Sequence, residues 1–218
     1  YPSGAVLSLE RRYALLEWAQ KYGSWIVEDD YDSEFNYTGR PQPALCALAG
    51  DTRVCYTGTF SKVLTPALRI AYIVAPEALR EPLRASQIVS GGAPDTFVQA
   101  ALARFMNGGH FARHITKMRK LYDERRRFAA SRLARSEHFA VRDSLAGLHF
   151  IAGLPAHVRD AQISASAAAH GLIVPALSSY YSGRPRHGGL VIGYAATDTA
   201  QAAKAFSVLE KLVSGAGR

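Results

Sequence analysis

Thr57-Gly58-Thr59-Phe60-Ser61-Lys62-Val63-Leu64-Thr65-Pro66-Ala67-Leu68-Arg69-Ile70 lies between two apolar runs, Val54-Cys55-Tyr56 before it and Ile70 to Val74 after it. Short apolar runs of this kind read as buried strands, so the stretch is a loop between two strands. It holds one lysine, preceded by small hydroxyl residues and followed by Arg69. A lysine beside another positive charge, or partly buried, loses basicity and becomes able to form a Schiff base with an aldehyde. Arg69 suits a phosphate, which a guanidinium binds bidentately, and Thr59 and Ser61 add hydroxyl donors. The pattern GxxxxGK[ST] is absent, so this is not a nucleotide P-loop.

Upstream, Trp25-Ile26-Val27 reads as a short buried strand that runs into Glu28-Asp29-Asp30-Tyr31-Asp32. Taken alone, these acids are a polar loop. In open α/β sheets, however, ligands bind outside the carboxyl ends of strands. A pyridoxal 5′-phosphate (PLP) cofactor needs a lysine for its aldehyde, a carboxylate for its ring nitrogen, a donor for its ring oxygen and a phosphate cup. Lys62, Asp29, Tyr31 and the Thr59/Arg69 loop meet the four needs, with Asp30 the rival of Asp29.

The rest of the chain bounds this reading. The 218 residues, 48% hydrophobic and 20% charged, fit a globular protein with a substantial core. No apolar run approaches the ~20 residues of a membrane span. The start, Tyr-Pro-Ser-Gly-Ala-Val, has neither an initiator Met nor a signal-peptide pattern, and position 1 reads as the interior of a longer chain. Cys46 and Cys55 lack metal-site spacing and read as buried free thiols in a reducing, cytoplasmic setting. His110 and His114, one turn apart with no third ligand evident, read as structural, so no metal is expected.

Residues 1–109 carry a net charge of −1 and residues 110–218 a net charge of +9. A basic half can serve nucleic acid. Much of the excess, from Arg113 to Arg135, falls on one predicted helix and reads as a solvated face.

Ser8 caps a helix ending at Gly23. Strands and helices then alternate to about residue 105, which predicts a piece of parallel sheet. Ser90-Gly91-Gly92-Ala93-Pro94 is a break. Phe111, Ile115, Met118, Tyr122, Phe128/Ala129 and Leu133 form the apolar stripe of a long helix over roughly 110–135. Strands follow at 139–141, 148–151, 172–174 and 190–195, with helices at 161–170 and 199–213. The expected domains are 1–108, a partial large domain, and 109–218, a small α+β domain that begins with the long helix.

Residues 25–37, Gly-Arg-Pro-Gln-Pro-Ala-Leu (39–45), 56–72 and Gly-His-Phe-Ala-Arg-His-Ile-Thr-Lys-Met-Arg (109–119) resemble the aminotransferase-like domain of MocR-type regulators, of the GntR superfamily of bacterial transcription factors. Pro-Ser-Gly at the start and Gly189 to Ala195 near the end extend the resemblance over nearly the whole chain. It implies an α/β fold, the C-terminal part of a fold-type I PLP-dependent aminotransferase. It assigns the Schiff base to Lys62, the ring nitrogen to Asp29, the ring oxygen to Tyr31, and the phosphate to Thr59 and Arg69, with Ser61 a neighbour.

It further implies a homodimer, an amino-compound effector bound by transaldimination, and DNA contacted only through a winged helix preceding this chain. Such a domain would begin well before Tyr1. Two positions depart from the pattern: Tyr1 stands where an Asn is usual, and Val191 stands where the last strand carries an arginine for the substrate carboxylate. Arg184 or Arg186 is the expected substitute. A working aminotransferase, with Lys62 as the general base, is the alternative to a regulator.

Overall fold

The computed structural model describes residues 1–37, 42–50, 53–92 and 95–216; Gly39-Arg40-Pro41 and Ala93-Pro94 lie outside these described residues. The chain forms two compact units: one of Val6–Glu34 and Gly39–Lys117, here the N-terminal unit, and one of Tyr1–Ala5, Phe35–Thr38 and Met118–Arg218, the C-terminal unit.

The N-terminal unit begins with helix α1 (Leu9–Tyr22). The Ser8 side chain accepts from the Arg11 amide at its start, and Gly23 ends it in the left-handed conformation. Strand β1 (Ile26–Asp30) is followed by a short helix, α2 (Leu45–Ala49), and then by β2 (Val54–Thr59). β1 and β2 pair in parallel, with Ile26 opposite Val54 and Asp29 opposite Thr57. Strand β3 (Ala71–Val74) departs from the expected parallel run and pairs antiparallel with β2. Only a 3-10 turn, Pro66–Leu68, lies between β2 and β3. Without a helical crossover the chain can only double back. Gly58 sits opposite Tyr72, where an added Cβ would lie 2.4 Å from the tyrosine ring, so the close approach requires glycine. Helices α3 (Glu77–Val89) and α4 (Thr96–Asn107, capped by Asp95) follow.

Helix α5 (His110–Ala134) is the long predicted helix, with Ile115, Ala129 and Leu133 buried on its stripe. Its basic residues are not all a solvated face. The Arg126 side chain is 6% exposed and is paired with Asp123 and Asp143, and its guanidinium lies over the Tyr37 ring. Arg132 grips Glu210 with two hydrogen bonds of 2.6 and 2.8 Å.

In the C-terminal unit, strands β4 (Ala140–Arg142), β5 (His149–Gly153) and β6 (Gly189–Gly193) form an antiparallel sheet in that order. Helices α6 (Asp160–Ala169) and α7 (Thr199–Gly215) complete the unit. Phe150, Ala152, Leu190 and Ile192 join Leu133 of α5, Ile163 of α6 and Leu209 of α7 in one core. Each such buried side chain contributes about 1.5–3 kcal/mol. Side chains alternate along a strand, so Arg142, Ile151 and Val191, which are register partners, share the opposite sheet face.

The strand expected over Leu172–Val174 does not form. Leu172 and Val174 pack against the core, but among the described residues the backbone pairs with β6 only beyond them, at the Ala176–Leu190 bridge and through the Pro175 carbonyl, which accepts from Val191 N. Pro175 has no N–H with which to extend a ladder. Ile173 is 94% exposed. Cys55 is buried as expected, whereas Cys46 is only half-buried; both are free thiols.

Candidate functional site

The acidic stretch divides by strand alternation. In β1, Ile26, Glu28 and Asp30 are half-buried, while Val27 and Asp29 are exposed. Glu28 is structural. Its carboxylate accepts from the Leu45 and Cys46 amides, capping α2, and pairs with Arg12 at 3.4 Å. Asp30 is also engaged. It accepts from the Ser33 hydroxyl at 2.6 Å, the Ser33 amide and the Tyr56 hydroxyl at 2.8 Å. Asp29 projects from the other face, where it accepts from the Thr57 hydroxyl at 3.4 Å. Of the two rival carboxylates, Asp30 is thus committed to protein donors and Asp29 is open.

Tyr31 follows at the end of β1. Burial raises its phenol pKa, and the charges of Asp32 and Asp29 raise it further. Asp32 is pushed up to about 6 by burial and by the charges of Asp30 and Glu34, with the Lys62 ammonium acting in the opposite direction.

Lys62 occupies a tight turn at the carboxyl end of β2. Phe60 N donates to Ile70 O, Leu64 N donates to Phe60 O, and Val63 is buried at 3% exposure. These fix the backbone while the Lys62 side chain stays exposed, with no hydrogen bond or ion pair among the described residues. Thr59 donates from its hydroxyl to Ser61 Oγ at 3.0 Å and accepts from Ser61 N at 3.1 Å. The Ser61 hydroxyl hydrogen is thereby left free for an outside acceptor. Arg69 closes the 3-10 turn in the left-handed region, φ 53°, the one non-glycine residue with positive φ among those described. Its exposed guanidinium is likewise unpartnered among the described residues.

The donor set therefore comprises a carboxylate, a phenol, two hydroxyls, a guanidinium and an amine. Register places Asp30 beside Gly58, so the carboxyl ends of parallel strands β1 and β2 adjoin. This is the end at which open α/β sheets take ligands. The set fits a phosphorylated aldehyde with a basic ring nitrogen.

Arg184 and Arg186 are exposed in the loop before β6, with no hydrogen bond or ion pair among the described residues. Val191 is buried in β6 at 3% exposure. Two residues gain roles that spacing did not reveal. His114, read only as structural, bonds from Nε2 to the Val63 carbonyl at 2.9 Å, next to Lys62. Its fellow His110 instead meets Arg113 and stacks on Phe105. Arg142 lines a cavity of about 330 Å³ in the C-terminal unit, together with Tyr180, Tyr181 and His187; neither Arg184 nor Arg186 does so. A basic residue in a three-residue strand carries no sequence signal of this kind.

Residues 2–209 match the family described as aminotransferase class I and II. The chain is 36% identical over 200 residues to the probable rhizopine catabolism regulatory protein MocR of Rhizobium meliloti, covering 91% of this chain and 41% of that protein. It is 34% identical over 198 residues to the HTH-type pyridoxine biosynthesis transcriptional regulator PdxR of Corynebacterium glutamicum, covering 91% and 43%. In structure it is similar to kynurenine aminotransferase of Pyrococcus horikoshii, solved with PMP, with a TM-score of 0.88 at 25% identity, over 98% of this chain and 54% of that one. The chain thus spans about two-fifths of the length of these curated relatives. No helix among the described residues is long and apolar enough to cross a membrane.

Proposed function

The chain belongs to the aminotransferase class I and II family, and from that premise we propose that it is the PLP-binding, effector-sensing domain of a bacterial transcriptional regulator. The observation that carries the reading is the convergence of open groups at one sheet end. Asp29 and Tyr31 close β1, Thr59, Ser61 and Lys62 close its parallel neighbour β2, and Asp30 is held on the other face by Ser33 and Tyr56.

When bound, PLP supplies an aldehyde carbon open to amines and a ring that takes up electron density. Asp29 would hold the proton on the ring nitrogen. Tyr31 would donate to the ring oxygen. Thr59, Ser61 and Arg69 would hold the phosphate, and Lys62 would supply the amine that keeps the cofactor in place. An amine-bearing effector would compete with Lys62 for its place beside the cofactor, and a released Lys62 would shift the balance between conformations of the domain, which a DNA-binding winged helix would read. The regulatory reading is supported by similarity to MocR and PdxR and by the apolar Val191 in place of a carboxylate-binding arginine. The protein acts as a homodimer in the cytoplasm.

Likeness to a solved aminotransferase at 25% identity favours a second reading, in which the freed Lys62 moves the α-proton and turns substrate over. Two experiments separate the outcomes. In the full-length protein, Lys62→Ala should abolish the borohydride-sensitive absorbance near roughly 410–430 nm that accompanies covalently held PLP; a surviving band would reject Lys62. Supplying an amino acid and an oxo-acid should give no sustained turnover, and sustained turnover would establish the aminotransferase instead.

A further inference from the structure

The C-terminal unit carries a second chemically marked place, on the sheet face turned away from its helical core. Arg142, Ile151, Leu177, Tyr180, Tyr181 and His187 line the cavity of about 330 Å³ there, and no Asp or Glu lines it. Arg142 is the one Arg or Lys in that lining. Its guanidinium makes no hydrogen bond or ion pair among the described residues. Arg142 is exposed, whereas the buried and half-buried arginines of this unit are engaged within it: Arg125 with the Ala195 carbonyl, Arg126 with two aspartates and Arg132 with Glu210. Arg142 is thus an open, permanently charged fork beside aromatic walls.

The cavity wall is held in place from behind. Asp160 accepts from Ser178 N, from the Ser178 hydroxyl and from Gly189 N. It thereby ties down the segments that carry Tyr180–Tyr181 and His187. Tyr180 packs edge-on against the Tyr1 ring, which in turn lies against His149. Register supplies the independent observation. Arg142 is opposite Ile151, and Ile151 is opposite Val191. Arg142 therefore lies in the same row and on the same face as Val191, two strands away, about 10 Å by ordinary strand spacing.

We propose that Arg142 is a carboxylate anchor within the C-terminal unit, and that the cavity takes a small monocarboxylate with an apolar or aromatic body. This goes beyond the effector-sensing reading by assigning a ligand site within the C-terminal unit. Arg184 and Arg186 have no part in binding.

The test uses 3-phenylpropionate and its neutral amide, titrated by calorimetry into the full-length protein without PLP, so that the result does not depend on Lys62. The acid should bind about tenfold or more tightly than the amide, as a charged hydrogen-bonded pair requires. Arg142→Gln should abolish that preference, Arg142→Lys should restore part of it, and the double variant Arg184→Gln/Arg186→Gln should leave it intact. Unchanged melting temperatures show that the variants fold. Equal binding of acid and amide, no binding of either, or a preference that survives Arg142→Gln overturns the proposal. Failure of the cofactor reading shows separately, as a PLP band that survives Lys62→Ala.

Discussion

His114 bonds through Nε2 to the carbonyl of Val63, the residue after Lys62, at 2.9 Å. A carbonyl can only accept, so Nε2 carries the hydrogen. The imidazole reaches from α5 to a turn far away in sequence, and the buried Val63 side chain anchors the same point. His114→Ala should cost about 1 kcal/mol in stability. It should also loosen the turn, so that the protein loses PLP faster on dialysis. His114→Gln, whose amide can still donate, should retain more cofactor than the alanine variant. Equal PLP loss from wild type and His114→Ala would remove His114 from the site.

Arg69 holds φ 53°, a conformation costing a residue with a Cβ roughly 1 kcal/mol, which glycine avoids. Arg69→Gly should therefore leave the melting temperature unchanged or higher. The same substitution removes the phosphate-facing guanidinium and should weaken PLP binding about tenfold or more. Stability and cofactor affinity should thus move apart. A parallel fall of both would mean that Arg69 supports the fold rather than the ligand.

Asp32 titrates at about 6, raised first by burial and then by Asp30 and Glu34. An ordinary carboxyl titrates near 4. Between those values the folded protein holds a proton that the unfolded chain has lost. This group's contribution therefore makes stability fall as pH rises through the window of about 4 to 6. Asp32→Asn should flatten that slope in urea unfolding and stabilise the protein at pH above 6. Lys62→Ala removes a charge that lowers this pKa, so carboxyl-carbon NMR should place Asp32 higher in that variant. A lower value would separate the two groups.

Asp160 is 5% exposed and accepts three hydrogen bonds, two from backbone amides. Burial pushes its pKa up, but the bonds from Ser178 and Gly189 prevail and the net shift is downward. Its stabilisation is therefore present above the ordinary carboxylate range and lost as pH falls through the folded value. Asp160→Ala leaves buried amides unsatisfied and should cost about 3 kcal/mol, seen as a lower urea midpoint at neutral pH. It should also weaken 3-phenylpropionate binding, because the segments carrying Tyr180 and His187 lose their tie. Unchanged binding in a variant that still folds would mean that the cavity wall holds itself.

Much of the architecture was legible because its signals are local. Ser8 marks the start of α1 through its hydroxyl and Gly23 the end through its left-handed backbone, and the stripe from Phe111 to Leu133 marks α5 nearly to its ends. Two strand readings depended on partners instead. β3 turned back because no crossover helix separates it from β2, and Leu172–Val174 stayed unpaired where Pro175 interrupts the ladder. The helix charges misled in the same way. Nothing local distinguishes exposed Arg127 from Arg126, whose place is set by Asp143 across the fold.

By itself the sequence determined which chemical groups are available: a lysine among hydroxyls, an arginine in a turn, and two adjacent aspartates at the end of an apolar run. It left open which aspartate faces outward and which arginines are held by partners. Those answers came from tertiary structure. Strand side chains alternate with a period of two, so the face that Asp29 or Arg142 takes depends on pairing with Thr57 or Ile151. Such pairing is made between residues distant in the chain, and no window of neighbouring residues contains it.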